Sequence, residues 1–193
     1  MGRVLDAISD ELAAFLEAQP VFFVATAPAD GHVNVSPKGL DSFRVLGPRT
    51  VAYLDLTGSG VETIAHLRDN GRITLMFCAF EGTPNIVRLY GAGEVLPTGG
   101  READALLGRF RALPGARSVI RVSLDRISTS CGYGVPLMTY AGERSRLVEW
   151  AGARGADGLV AYRSERNALS IDGLPGLPTV GGATSSMSPP ASA

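Results

Sequence analysis

Lysine is almost absent from this chain. Of 193 residues only Lys38 is lysine, and every other basic side chain is arginine. Histidine and cysteine are nearly as scarce, with two of each. Cys78 and Cys131 show no CxxC spacing and His32 and His66 stand apart, so no metal signature is present. No Ser/His/Asp set or carboxylate pair stands out, which leaves hydrolase chemistry poorly supported. No apolar run approaches the length of a membrane span. Asp6, Asp10 and Glu11 interrupt the N-terminal stretch, so no signal peptide is expected and the expected setting is the cytoplasm. The net charge of −1 comes without any basic stripe, which argues against nucleic acid as a partner.

What is present is a globular composition. Hydrophobic residues make up 45% and charged residues 19%, enough for the core of one domain. Residues 1–175 read as that domain, with an N-terminal helix and a C-terminal helical extension. From Gly176 the chain turns to Gly, Pro, Ser, Thr and Ala, so 176–193 is expected to be a disordered tail.

The elements follow from periodicity. Leu5, Ile8, Leu12, Phe15 and Leu16 predict an amphipathic helix over 6–18, stopped before Pro20. Residues 21–27 read as a strand, a turn at Pro28, Asp30 and Gly31 reverses the chain, and Val33 and Val35 mark a half-buried return strand. Residues 50–56 form a further strand. It feeds Thr57-Gly58-Ser59-Gly60 and then a helix that Thr57 or Ser59 is placed to cap, ended by Asn70-Gly71. Residues 72–80 and 86–96 read as paired strands, with Gly91 and Gly93 at bulges or close approaches. A helix is predicted over 101–112, a strand over 119–127 and a short helix over 144–154. Strands succeed one another too directly for a parallel doubly wound sheet. About six strands in a small antiparallel barrel with peripheral helices fit better.

Four places invite a functional reading. Lys38 ends the second strand in the corner Ser36-Pro37-Lys38-Gly39, as a compact charge suited to an anion. Thr57-Gly58-Ser59-Gly60 opens a helix whose free N–H groups favour an anion. A barrel would bring both to one phosphate, although each alone reads as an ordinary turn. Cys131 to Pro136 reads as a tight glycine-rich loop over the barrel mouth, with no nearby histidine or lysine to activate the thiol. Arg163, Arg166 and Asn167, followed by Asp172, read as Arg–carboxylate pins for the C-terminal segment. His66, in mid-helix, is expected at or near the surface.

The stretches FFVATAPADGHVNVSPKGLDSF, TVAYLDLTGSG with ETIAHLRDNGRI, and TLMFCAF through RLYGAGEVL resemble the pyridoxamine 5′-phosphate oxidase-like family. CGYGVPLMTY and SIDGLP resemble one bacterial and fungal branch of it. The resemblance implies a mainly β fold, the six-stranded antiparallel split β-barrel of the FMN-binding type with flanking helices. It implies a homodimer with FMN at the interface and an oxidoreductase acting on a small molecule. The isoalloxazine would lie along Asn34, Val35 and Ser36, and the phosphate near Lys38, Thr57, Ser59, Gly60 and Thr63. The chemistry would be the flavin's, and the resemblance names no catalytic side chain. Two departures stand out. Glu62 falls where the family carries a basic pair for phosphate, and the C-terminal arginine and histidine elements that hold the vitamin phosphate have no match. Pyridoxamine phosphate is therefore not the substrate implied. Relatives of this barrel also take deazaflavin or haem. His32 and His66 give haem no anchor, and only Arg44 and Arg49 accompany Lys38 for the acidic tail of a deazaflavin. The rival readings are a flavin-binding protein without turnover, for storage or sensing, a deazaflavin-dependent reductase, and a barrel without cofactor that acts through protein contacts.

Overall fold

The computed structural model describes residues 2–177. In chain order the elements are β1 (Arg3–Leu5), α1 (Asp10–Glu17), β2 (Phe22–Thr26), β3 (Asn34–Lys38), β4 (Phe43–Gly47) and β5 (Thr50–Leu56). There follow α2 (Glu62–Asp69), β6 (Arg72–Cys78), β7 (Ile86–Pro97), α3 (Arg101–Leu107), β8 (Ala116–Ser130) and α4 (Arg146–Arg166). All strand pairs are antiparallel, in the order β3-β2-β6-β7-β8-β5-β4, with β1 added to β8. The terminal strands β3 and β4 do not pair, so the barrel stays open between them.

Among the described residues eight strands replace the expected six. The two extra ones are short. Leu5 and Ile8 carry helical spacing, but α1 begins only at Asp10, where the Ser9 hydroxyl caps the Leu12 N–H at 3.2 Å. The preceding Arg3–Leu5 pairs with Ile127–Thr129 instead. Phe43–Gly47, where the sequence predicts no element, pairs with β5.

The core fills the barrel. Phe22, Phe43, Tyr53 and Phe77 meet at ring-centroid separations of 4.8–5.7 Å, and Leu16, Ile64, Leu75, Leu89, Ile120 and Ile127 surround them. A smaller cluster of Leu54, Leu96, Ala103, Phe110 and Val119 lies under α3. The long strands β7 and β8 carry both clusters. Their register shifts at Tyr90/Gly91, where a Cβ on Gly91 would collide with the Ser123 carbonyl oxygen. At Gly93 it would meet Leu67 of α2 at 2.8 Å. Both glycines are thus close approaches, as the sequence predicts.

Helix ends differ more. Val61 precedes α2 without any side-chain cap, so neither Thr57 nor Ser59 serves there. Asn70 and Gly71 do end α2, Gly71 with φ +73°. The late helix is longer than expected, reaching Arg166 across a break at Gly155 (φ 65°, ψ 179°). Beyond it, Ser170–Pro175 folds back, and Gly176 and Leu177 donate to the carbonyls of Ala168 and Asn167 at 2.8 and 2.9 Å. These two residues are therefore part of the packed chain. The rest of the expected tail lies outside the described residues. Among the described residues no helix is long and apolar enough to cross a membrane.

Candidate functional site

Strand β5 is buried along nearly its whole length, yet it carries an acid. Asp55 has no exposed surface. Such a carboxylate persists only when it is paired and hydrogen-bonded. Its Oδ2 accepts from Arg117 Nε at 2.6 Å and from the Ser118 hydroxyl at 3.3 Å, while Lys38 Nζ lies 3.5 Å from Oδ1. Burial alone would raise the Asp55 pKa. The Arg117 and Lys38 charges and the hydrogen bonds from Arg117 and Ser118 outweigh it and hold the carboxyl below its usual range.

The network extends from Arg117 to the β5–α2 loop. Arg117 Nη1 donates to the Gly60 carbonyl (3.0 Å) and to Asn167 Oδ1 (2.9 Å), and Asn167 Nδ2 donates to the Gly58 carbonyl (3.1 Å). Thr57 donates its hydroxyl to Gly115 O at 2.7 Å and accepts from Arg163 Nε at 2.8 Å. Arg163 and Asn167 therefore pin the segment through this loop. The Asp172 expected as their partner turns elsewhere, accepting from His32 N and from His32 Nδ1. Arg166 pairs with Glu165 instead.

Strand alternation sends Asn34, Ser36 and Lys38 to the inner face of β3 and leaves Val35 61% exposed on the other. Asn34 Nδ2 donates to Thr26, Ser36 and Thr63 hydroxyls at 3.2–3.4 Å. Behind them His66 is wholly buried, its Nδ1 3.0 Å from Thr26 Oγ1. The expected surface histidine is thus a core residue, because α2 presents five consecutive buried positions to the barrel.

Lys38 keeps 21% of its side chain exposed, and that part opens on a cleft of about 680 Å³. Pro20, Val21, Leu40, Tyr140, Leu147 and Trp150 give it apolar walls, and Arg144 and Arg146 add charge at its edge. Glu143, its one acid, pairs with Arg111 at 3.3 Å. A second cleft of about 660 Å³ adjoins it across Tyr140. The 131–145 segment forms the shared wall by running over the β6–β7 turn, where Met138 N donates to Phe80 O and Tyr140 N to Glu81. Cys131 is exposed at its start.

The structure brings the expected phosphate residues together unevenly. Lys38 is joined to the Gly60 end of the loop through Asp55 and Arg117, and a Cβ on Gly58 would meet nothing within 4 Å. Ser59 is exposed there. Lys38 and Arg117 carry more positive charge than Asp55 cancels and the glycines leave the backbone open, features that suit a phosphate, but Gly58, Ser59 and Gly60 do not line the Lys38 cleft. Thr57 has its hydroxyl engaged on both sides, and Thr63 accepts from Asn34. Glu62 folds its carboxylate against Gly60, over the N-terminal end of α2. Asp55, Arg117, Arg163 and Asn167 carry the site without having been singled out as ligand residues. An acid in the apolar run VAYLDL was the available signal.

A family model described as pyridoxamine 5′-phosphate oxidase matches residues 8–131. The chain belongs to the pyridoxamine 5′-phosphate oxidase family. The pyridoxamine 5′-phosphate oxidase family protein ustO of Aspergillus flavus is 42% identical over 192 residues, covering 89% of this chain and 76% of that protein. Among solved structures, a HupZ variant from Group A Streptococcus has a TM-score of 0.50 at 26% identity, over 64% of this chain and 99% of that one. A candidate pyridoxamine 5′-phosphate oxidase from Lactobacillus delbrueckii has a TM-score of 0.52 at 23% identity, over 65% and 98%. The open eight-stranded sheet is this family's split β-barrel. The matched residues end at Cys131, so the 131–145 wall and α4 lie beyond them.

Proposed function

We propose that this member of the pyridoxamine 5′-phosphate oxidase family binds FMN and acts in the cytoplasm as an FMN-dependent oxidoreductase on a small molecule. The observation that carries this reading is the placement of Lys38. The lone lysine sits on the inner face of an edge strand, fixed by a buried acid and open to a large apolar cleft. Lys38, Ser59 and the Gly58–Gly60 backbone would hold the phosphate. Asn34, fixed by Thr26, Ser36 and Thr63, and the β3 backbone through Val35 would line the ring. A flavin held by these residues would supply the redox chemistry of hydride transfer. The chain's own part is to bind, orient and exclude water.

Homodimerisation is part of the proposal. Among the described residues nothing pairs with the outer edge of strand β3, beside Val33 and Val35, which are 72% and 61% exposed, and a partner would cover it. A reading without flavin has one observation in its favour, the Glu62 carboxylate lying over Gly60. An absorption spectrum of the purified protein, before and after addition of FMN and desalting, separates the two. Retained oxidised-flavin bands support the proposal, and a protein that stays colourless overturns it. Reduction of the bound flavin by a nicotinamide cofactor then distinguishes an enzyme from a storage or sensing protein.

A further inference from the structure

Asp55 divides its two oxygens between side chains that line two different clefts. Lys38 takes Oδ1 and opens on the large cleft, whereas Arg117 takes Oδ2 and walls a different, smaller one of about 240 Å³. The two clefts share no lining residue. The smaller lies between α4 and the start of β8, with Arg117, Arg163, Thr98 and Ser164 as its polar lining and Pro97 and Val160 as apolar walls.

The charges there do not balance. Lys38 and Arg117 share the single carboxylate of Asp55, and Arg163 lines the same cleft as Arg117. Arg117 is only 5% exposed, Arg163 is half-buried, and no acid among the described residues lines the cleft. Among the described residues no carboxylate lies within ion-pair distance of Arg163. Guanidinium has five N–H donors. Arg163 uses Nε on Thr57 and Nη2 on the carbonyls of Gly115 and Ala116, and Arg117 uses Nε on Asp55 and Nη1 on Gly60 and Asn167. Nη1 of Arg163 and Nη2 of Arg117 have no acceptor among the described residues. Burial, and then the neighbouring Arg117 charge, lower the Arg163 pKa, with Asp55 opposing. Cations held in this way are stabilised by an oxyanion that accepts from both.

We infer that the cleft between β8 and α4 is a binding site for a phosphate group, held by Arg117 and Arg163 with the Ser164 hydroxyl as a further donor. The cleft has room for the free ion or for a small phosphomonoester. This site does not depend on the flavin reading, and it lies on the opposite side of Asp55 from Lys38.

Inorganic phosphate and glycerol 3-phosphate are titrated against the full chain by calorimetry, with melting temperature followed in parallel. Saturable binding and a concentration-dependent rise in melting temperature are expected. Tighter binding of the ester would identify a phosphorylated metabolite as the occupant, and equal binding the free ion. Arg163→Gln should weaken binding at least about tenfold. Because Arg163 also holds the β5–α2 loop, Ser164→Asp gives a second test. It places a carboxylate in the cleft and should raise the melting temperature in phosphate-free buffer while abolishing the response to phosphate. No saturable binding by the wild type overturns the inference. So does binding that Ser164→Asp leaves intact and Lys38→Ala removes, since the ion would then belong to the larger cleft.

Discussion

Lys38 and Arg117 hold opposite oxygens of Asp55, Lys38 at 3.5 Å and Arg117 at 2.6 Å. The pair links the edge strand β3 to the long strand β8 through a carboxylate with no exposed surface. Removing that charge would leave Arg117 buried without its counterion. Asp55→Asn, close in shape, should therefore destabilise the fold by about 3–5 kcal/mol, read from urea denaturation midpoints at neutral pH. The Asp55 carboxyl titrates below its usual range in the folded chain. Its contribution is thus present above the unfolded carboxylate value and lost as pH falls through the folded one. The gap between wild type and variant should narrow below about pH 4. A constant gap would show that Asp55 acts through shape.

Lys38 itself is expected to matter for ligand more than for fold, because Arg117 continues to neutralise Asp55 without it. Lys38→Ala should weaken FMN binding by about 1.5–3 kcal/mol, the contribution of one charge-assisted phosphate contact. Fluorescence titration measures it. Lys38→Arg should recover part of the loss by keeping the charge. An unchanged dissociation constant in Lys38→Ala would remove Lys38 from the flavin site.

Why the sequence shows some of this and hides the rest is visible residue by residue. Lys38 and the Thr57–Gly60 loop stand out because each breaks a local pattern, one by residue type and one by glycine content. The hairpins and the Gly91 and Gly93 approaches are local features with local signals. Strand β4 hides because it is a short edge strand in which Arg44 and Gly47 break up the apolar signal of Phe43, Val45 and Leu46. The length of α4 hides behind Gly152, Gly155 and Gly158, which look like stops. The partners of Asp55 are out of reach of any window, since Arg117 lies 62 residues on and Asn167 another 50. His66 is hidden for a related reason, as only the packing of α2 on the barrel decides its burial.

The turn between β2 and β3 is tied to the C-terminal segment by His32 and Asp172, whose side chains meet at 2.6 Å. The Asp172 hydrogen bond, then its charge, raises the His32 pKa above 6.5, and the contacts with His32 lower that of Asp172. The raised histidine contributes fully below its unfolded value of about 6.5, and its contribution is lost as pH rises through the folded value. The lowered carboxylate contributes above about pH 4 and loses its contribution under acid. The tie should therefore hold best between those limits. NMR titration of His32 should give a pKa above the free value that returns toward it in Asp172→Asn. An identical pKa in the two proteins would show that the contact does not form in solution.

Glu62 is where helix stability and ligand affinity pull against each other. Val61 gives α2 no side-chain cap, and Glu62 is the acid in its first turn. An acid there favours the helix through its macrodipole and the free N–H groups, the same groups that would serve a phosphate. Glu62→Gln should lower the stability of the ligand-free protein by about 0.3–1 kcal/mol. It should also tighten FMN binding by about 1 kcal/mol, roughly fivefold, as a like charge near the phosphate is removed. Melting temperature without FMN and the FMN dissociation constant read the two effects separately. Opposite movement of stability and affinity is the expected result. If affinity falls or stays level while stability drops, Glu62 serves the helix and does not face the phosphate.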